Sequence, residues 1–192
     1  MKYLLLLIVL SLPAKADNWD FELDITGAGI EHGWRGPAGY DHKAQFEEKI
    51  YGFGFTTWHK SNFGVRLGYL KGAVLTTEGQ YDYVQINMKH IASLELLYRY
   101  YITEDLQARI GIGSHSIPVP QRYEGLDPTS HPYNDSDNDE GWNVGLQYQL
   151  SEFFSVGWRF THYSRISRNE RTWEKGHDEF IKGHSLNMAF TF

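Results

Sequence analysis

The stretch Leu186-Asn187-Met188-Ala189-Phe190-Thr191-Phe192 alternates between large apolar residues and small or polar ones, and it stands last in the chain. Side chains of a β-strand point in turn to opposite faces, so this pattern predicts a strand with one apolar face. Leu186, Met188, Phe190 and Phe192 form that face. Such a stripe packs either on a soluble core or against lipid, and the rest of the chain has to decide between the two.

The amino terminus has the three parts of a secretory signal peptide. Met1-Lys2 is a basic start, residues 3–12 are an apolar run, and Ala14-Lys15-Ala16 is an A-x-A cleavage site. The apolar run is about half of the ~20 residues that a membrane-spanning helix needs, and no later segment approaches that length. We therefore predict a signal peptide at 1–16, a mature domain at 17–192 and no transmembrane helix.

The mature domain is predicted to be acidic and free of disulfides. The chain has 18 basic and 24 acidic residues, and removal of Lys2 and Lys15 leaves 16 basic residues and a net charge of -8. This charge argues against nucleic acid as a partner. There is no cysteine, so stability must come from the fold alone. The aromatic content of 16% suits strands with one lipid-facing side.

Apolar and polar residues alternate in eight separate segments of the chain. The clearest is Trp19-Asp20-Phe21-Glu22-Leu23-Asp24-Ile25-Thr26. A period of two indicates β-strands, and no helical period competes with it. The predicted strands cover residues 19–26 and about 49–59, 63–76, 86–102, 106–116, 141–150, 154–166 and 180–192.

The connections between these strands are alternately short and long. The short ones contain Lys60-Ser61-Asn62, Thr103-Glu104-Asp105 and Ser151-Glu152. The long, polar ones cover about 31–48, 77–85, 117–140 and 167–179. In outer-membrane barrels the short turns are periplasmic and the long loops extracellular, and an even number of strands puts both termini on the periplasmic side.

Charged residues occupy the strand faces opposite the apolar stripes. A soluble β-sandwich or lipocalin-like barrel is the alternative, but here the apolar faces carry aromatics at strand ends, as membrane girdles do. With the polar faces inside, an eight-stranded barrel is just wide enough for side chains to fill it. We expect ion pairs to plug this lumen. The expected lumen charges are Asp20, Glu22, Asp24, Glu95, Arg66, Lys89, Arg99, Arg109 and Arg159.

Over its mature length the chain resembles the small OmpA/OmpX-like outer-membrane barrels. The resemblance is carried best by residues 141–160, which are similar to the sixth strand, turn and seventh strand of that family. It implies an all-β fold, an eight-stranded antiparallel up-and-down transmembrane β-barrel with short periplasmic turns and four long extracellular loops, in the bacterial outer membrane. The strand ending at Phe192 is similar to the signal read by the barrel-assembly machinery, which we expect as a partner.

Strand seven carries a candidate catalytic pair in Thr161-His162-Tyr163-Ser164. His162 and Ser164 share the lipid-facing side, and a histidine beside a serine can activate the hydroxyl as a nucleophile when an acid orients the imidazole. The strand resembles the seventh strand of PagL-type lipid A deacylases. That resemblance implies His162 as base and Ser164 as nucleophile in the hydrolysis of an acyl ester of lipopolysaccharide.

Two residues depart from the deacylase pattern. Lys182 stands where the acid would be, and Arg165 replaces the asparagine that follows the serine. A lysine cannot orient a protonated imidazole, so the acid would have to come from the last loop. The acids available there are Glu174, Asp178 and Glu179. The alternative interpretation is that His162 and Ser164 are interfacial residues where the strand leaves the hydrocarbon.

Three sets of polar residues in or near the loops are further candidates for a functional role. The run Asp135-Ser136-Asp137-Asn138-Asp139-Glu140 has the alternate acids of a calcium loop, but Glu140 stands where the sharp-turn glycine belongs, so a solvated loop explains it better. A basic cluster could meet lipopolysaccharide phosphates or form an ordinary charged loop: Arg165, Arg168, Arg171 and Lys175. Five histidines lack metal-site spacing and are interpreted as surface residues: His32, His42, His115, His131 and His177.

Two functional hypotheses follow. The first is a non-enzymatic, monomeric barrel with a structural or surface-interaction role in the envelope, in contact with outer-membrane lipids and lipopolysaccharide. The second is a lipid A acyl-ester hydrolase that uses His162 and Ser164. A narrow channel is a third class, and a plugged lumen argues against it. Nothing in the sequence calls for a metal or another cofactor.

Overall fold

The computed structural model describes residues 18–35, 41–45, 50–72, 74–78, 83–87, 90–117, 121–124, 138–166 and 178–192. The predicted signal peptide lies outside these residues. Within the described part of the chain, no helix has the length and apolar character needed to cross a membrane. The strands are β1 (Trp19–Arg35), β2 (Asp41–Gln45), β3 (Ile50–His59), β4 (Phe63–Lys71), β5 (Val74–Glu78), β6 (Tyr83–Asn87), β7 (His90–Tyr101), β8 (Leu106–Ser116), β9 (Gln121–Glu124), β10 (Asn138–Ser151), β11 (Phe154–Ile166) and β12 (Asp178–Thr191).

Eight of these strands close into an antiparallel barrel, which confirms the predicted fold. Around the wall they follow the order β1-β3-β4-β7-β8-β10-β11-β12, and β12 pairs back onto β1. That closing pair runs from Glu22 opposite Thr191 to Arg35 opposite Asp178. Because the wall closes, its strands have no free edge.

The short strands outside the wall account for the errors in the predicted strand ends. β2 forms a hairpin with the outer end of β1, and β5, β6 and β9 form a separate three-stranded sheet. The third barrel strand stops at Lys71 instead of residue 76, the fourth begins at His90 instead of residue 86, and the first extends to Arg35. Alternation continues across such breaks, so it could not reveal them. The predicted long connections lie partly outside the described residues.

The three tight turns, at 60–62, 102–105 and 152–153, are confirmed. Asn62 has a φ of 69°, in the left-handed region that asparagine tolerates better than most residues. Its N–H donates to the His59 carbonyl at 2.9 Å and closes the turn. The first described residue, Asn18, and the last, Phe192, lie at the same end of the barrel as the three tight turns, called the turn end below.

The apolar stripe of the last strand faces outward. Leu186 is 69% exposed and Phe192 57%, whereas Asn187 and Ala189 between them are 5% and 0% exposed. Large apolar side chains are likewise exposed on the other barrel strands, among them Ile25, Phe53, Leu67, Leu96, Ile112, Leu146 and Trp158. A continuous apolar outer surface around a closed barrel is a lipid-facing surface.

The lumen is filled in two layers. Toward the turn end the inward side chains are polar and charged, as predicted. Toward the opposite end several inward positions are apolar, and here the expectation of a polar interior was wrong. Isoleucines no more than 3% exposed occupy that layer: Ile30, Ile50, Ile91, Ile117 and Ile181. Each buried isoleucine contributes about 1.5–3 kcal/mol relative to an exposed one, so this end is stabilised like a small soluble core.

Gly54 provides a test of the charged layer, because a Cβ there would collide with the side chains of Asp24 and Arg66. We expect Gly54→Val to lower the free energy of unfolding by about 3 kcal/mol or more, since breaking a buried ion pair costs about 3–5 kcal/mol. Gly29 faces outward, and a Cβ there meets nothing within 4 Å. Gly29→Ala should therefore change stability by less than about 0.5 kcal/mol. Urea titration, followed by heat-modifiable gel migration, measures the stability of both variants. Equal unfolding midpoints for Gly54→Val and Gly29→Ala would contradict the expectation.

Candidate functional site

A buried ion-pair network crosses the middle of the lumen. Arg66 of β4 donates from Nε to Asp24 Oδ2 at 3.1 Å and from Nη2 to Oδ1 at 3.0 Å. Glu95 of β7 places Oε2 3.6 Å from Nη1 of both Arg66 and Arg159. Bidentate carboxylate–guanidinium pairs combine charge with a fixed geometry, so this network ties β1, β4, β7 and β11 together across the barrel.

A second charged cluster lies nearer the turns, around Trp58. Arg109 donates to both carboxylate oxygens of Glu22 at 2.7 Å, and Arg99 lies 3.1 Å from Asp20. The guanidinium carbons of both arginines are 4.9 Å from the Trp58 ring centroid, close enough for cation–π attraction. Trp58 is fully buried, and it continues the inward-facing positions of β3, so strand alternation alone could have identified it.

Charge in the described lumen is balanced. Eight of the nine charges predicted to lie inside are described, and they comprise four acids and four arginines. Lys89 lies outside the described residues. The structure thus confirms an ion-paired lumen, because every one of these eight charges faces an opposite charge within 4 Å.

Hydrogen bonds join further side chains in the described part of the lumen. Gln147 donates to Ser155 at 2.7 Å and accepts from Asn187 at 3.0 Å, so hydrogen bonds continue the polar layer across β10, β11 and β12. A cavity bounded by Arg66 and Tyr163 holds about 20 Å³ for water. That is room for about one water molecule.

On the outer face, His162 is half-buried and points toward lipid, as predicted. Its ring stacks on Trp142 of β10, with centroids 5.6 Å apart and an interplanar angle of 18°. Strand register places it opposite Lys182 of β12. Lys182 Nζ in turn lies 3.6 Å from Glu31 Oε2 of β1. A row of polar side chains therefore crosses three adjacent strands on the lipid-facing side.

The second member of the predicted catalytic pair, Ser164, follows on β11, where its backbone pairs in register with Phe180. Its side chain lies outside the described part of the chain, so the pairing of Ser164 with His162 stays a prediction. Arg165 stands opposite Glu179 in the same ladder. The remaining loop candidates Arg168, Arg171, Glu174 and Lys175, and residues 135–137 of the acidic run, lie outside the described residues.

The structure also reveals a serine–histidine contact that we did not single out from the sequence, in His59-Lys60-Ser61. Ser61 Oγ lies 2.7 Å from His59 Nδ1, and the Ser61 backbone N–H donates to the same nitrogen at 3.2 Å. Both contacts are local to an exposed turn, so the ring caps the turn. Trp19 packs edge-on against it, with centroids 4.9 Å apart.

His115 corrects the interpretation of the loop histidines as surface residues. It is fully buried in the lumen, edge-on to Tyr163 with ring centroids 4.6 Å apart. Gln107 and Arg109, on the same alternating positions of β8, also point inward, and this signal could have placed His115 inside. The side chains of the other four histidines in that group lie outside the described residues.

A closed antiparallel barrel with an apolar belt and a charge-filled lumen defines a small outer-membrane β-barrel. The family model of the outer membrane protein beta-barrel domain matches residues 3–192, and the chain belongs to that family. Its fold is that of the small OmpA/OmpX-like barrels, and its family is one of the bacterial outer membrane. Comparison with curated proteins finds no match.

Three solved structures illustrate the likeness of fold. Neisserial surface protein A is 8% identical with a TM-score of 0.54, covering 88% of this chain and 97% of that one. The N-terminal β-barrel domain of Pseudomonas aeruginosa OprF is 12% identical, with a TM-score of 0.50 and coverage of 90% and 97%. OprG from the same organism is 14% identical, with a TM-score of 0.50 and coverage of 91% and 96%. At such identities the likeness shows the fold alone.

A double-mutant cycle on Asp24 and Arg66 tests the lumen network. We expect Arg66→Met to lower the free energy of unfolding by about 3–5 kcal/mol, because it leaves buried Asp24 without its bidentate partner, and Asp24→Leu to lower it by less, because Arg66 keeps Glu95 at 3.6 Å. The double variant should lose less than the sum, since it buries neither charge. Urea unfolding in detergent micelles measures the four free energies of the cycle. The control combines Asp24→Leu with Lys60→Gln, and because Lys60 is on an exposed turn, the two losses of stability should add. Additivity of the lumen pair within about 0.5 kcal/mol would refute the coupling.

Proposed function

We propose that this protein is a non-enzymatic, monomeric barrel that contributes to envelope structure or surface contact through its extracellular loops. The balanced ion pairs of the lumen carry the proposal. Bidentate pairs such as Arg109 with Glu22 occupy the interior from side to side, so the barrel offers its outer face and its loops for contact instead of a path for solutes. A packed, ion-paired interior makes the barrel rigid, and a rigid barrel can hold its loops in place at the membrane surface.

We also propose two classes of contact for the outer surface. The exposed apolar stripe of β12 supports contact with outer-membrane lipids, including lipopolysaccharide. The same stripe, ending at Phe192, supports recognition by the barrel-assembly machinery, because its alternate aromatic and apolar side chains remain accessible along the strand that closes the barrel.

The second candidate function is hydrolysis of a lipid A acyl ester by Ser164 and His162. The outward position of His162 favours it, since an ester in the outer leaflet is reached only from the lipid side. Ser164 would attack the acyl carbon while His162 takes its proton and passes it to the departing sugar oxygen, which leaves an acyl-enzyme. Water would then hydrolyse the acyl-enzyme, which releases the fatty acid and restores the Ser164 hydroxyl. Lys182 argues against it, because a cation instead of an acid stands opposite the imidazole in register.

Reconstitution in planar bilayers tests the plugged lumen. We expect no steady conductance from the wild-type protein, because its interior charges are paired and packed. A variant with Glu22, Asp24, Arg66 and Arg109 all changed to alanine is the matched comparison, because it removes the charged layer and leaves the isoleucine layer, and its conductance gives the level that a lumen without these ion pairs allows. Steady wild-type conductance equal to that of this variant would contradict the proposal.

Mass spectrometry of lipid A from cells lacking or expressing the protein separates the two functions. Under the non-enzymatic proposal, the acylation pattern is the same in all strains. Under the hydrolase alternative, one acyl chain is lost in cells with the wild-type protein but retained with His162→Ala or Ser164→Ala. The double variant His59→Ala/Ser61→Ala is the control, because it removes the same two residue types from the opposite rim. Chain loss that needs His162 and Ser164 but not this turn pair would overturn our first choice.

A further inference from the structure

The outer face changes from apolar to polar near the ends of the strands that lie away from the tight turns. Outward polar side chains there include Lys71, His90, Glu140, His162, Lys182 and Glu31. On β12, Lys182 is ten residues from Phe192. At about 3.4 Å per residue and a tilt of about 40°, the separation along the barrel axis is roughly 26 Å, close to the ~25 Å height of an outer-membrane apolar band. Lys182 therefore lies at the level where lipid headgroups begin.

Three nitrogen-bearing side chains gather at this level on two neighbouring strands. His162 stands opposite Lys182, and His184 is two residues along β12 on the same face. The exposed His184 ring lies between aromatic rings, 5.0 Å from Phe160 and 5.7 Å from Trp158 by centroid. A charge on the lipid face costs about 2–4 kcal/mol at the midplane and little near the interface, so this cluster suits only the headgroup boundary.

Beside the cluster, β1 has glycines at two outward positions, so no side chains project from it there. Gly29 and Gly27 of β1 stand opposite His184 and Leu186 of β12. A Cβ at Gly29 would meet nothing within 4 Å, and one at Gly27 would touch only the ring of Tyr51 at 3.8 Å. The outer surface is thus shallow directly beside the basic cluster, on the hydrocarbon side of Glu31.

We propose that the outer face of β11, β12 and β1 binds lipopolysaccharide, with a lipid A phosphate at Lys182, His162 and His184. An acyl chain of the same molecule lies over the bare backbone at Gly27 and Gly29. The cluster offers a lysine ammonium and two imidazoles to a phosphate, and lysine is a common point-charge binder of phosphate. Glu31 holds the Lys182 ammonium at this boundary at 3.6 Å and competes with the phosphate for it. The site rests on the proposed contact with outer-membrane lipids and does not require hydrolysis.

Native mass spectrometry of the folded full chain in detergent tests the site, with bisphosphorylated lipid A as the probe. We expect Lys182→Gln to weaken lipid A binding about tenfold, the loss for one charge-assisted hydrogen bond. Lys71→Gln is the matched control, an exposed lysine at the outer end of β4, and should change affinity less than about twofold. Equal weakening in the two variants would overturn the site.

Two further probes identify the lipid. Dephosphorylated lipid A and phosphatidylglycerol should each bind the wild-type protein about tenfold more weakly than lipid A. Binding of the dephosphorylated form as tight as that of lipid A would assign the contact to acyl chains alone. Equal binding of phosphatidylglycerol would make the face a general anionic-lipid surface. Either result refutes a lipopolysaccharide site.

Heat-modifiable gel migration shows beforehand whether Lys182→Gln folds. If it does not, Glu31→Gln provides a second test of the site. Removing the competing carboxylate should raise the affinity for lipid A, whereas a purely structural Lys182–Glu31 pair predicts a fall or no change. Unchanged or weaker binding in Glu31→Gln therefore refutes the site. If lipid A binding fails these tests, the proposal of a closed lumen still stands. Steady conductance of the wild-type barrel, in contrast, would refute the proposed function but not the lipid A site.

Discussion

The pairing of β12 with β1 is the constraint on which the rest of the structure depends. In hydrocarbon no water is available to bond an open edge, so the sheet has to close on itself. With eight strands, closure leaves an interior only as wide as packed side chains. Every charge that the strands direct inward then has to find a partner across a narrow lumen, as Arg66 does with Asp24.

Filling the lumen moves the protein's possible contacts to its outside. Arg109 with Glu22 and the buried Trp58 occupy the turn end, and isoleucines such as Ile91 occupy the other. Two surfaces remain for partners, the loops and the lipid-facing wall. On that wall Lys182 and Glu31 form an ion pair between β12 and β1, and because lipid disfavours charge such a pair fits the headgroup level and not the hydrocarbon.

Much of this architecture could be predicted from local pattern. Alternation placed Leu186 outside and Asn187 inside, and the alternate turn and loop lengths placed both ends of the barrel at one rim. The strand ends could not be predicted, because β5 continues the period of β4 across a break. His115 was assigned to the surface since it stands beside a loop, although the faces of β8 direct it into the lumen.

The sequence alone determined the compartment, the number of barrel strands and the face of most side chains, because each depends on neighbours a few residues apart. Only the tertiary structure decided which charges meet. Arg66 and Asp24 are 42 positions apart, and their contact follows from barrel register. Lys182 meets Glu31 because the last strand closes onto the first, and no local pattern contains that register.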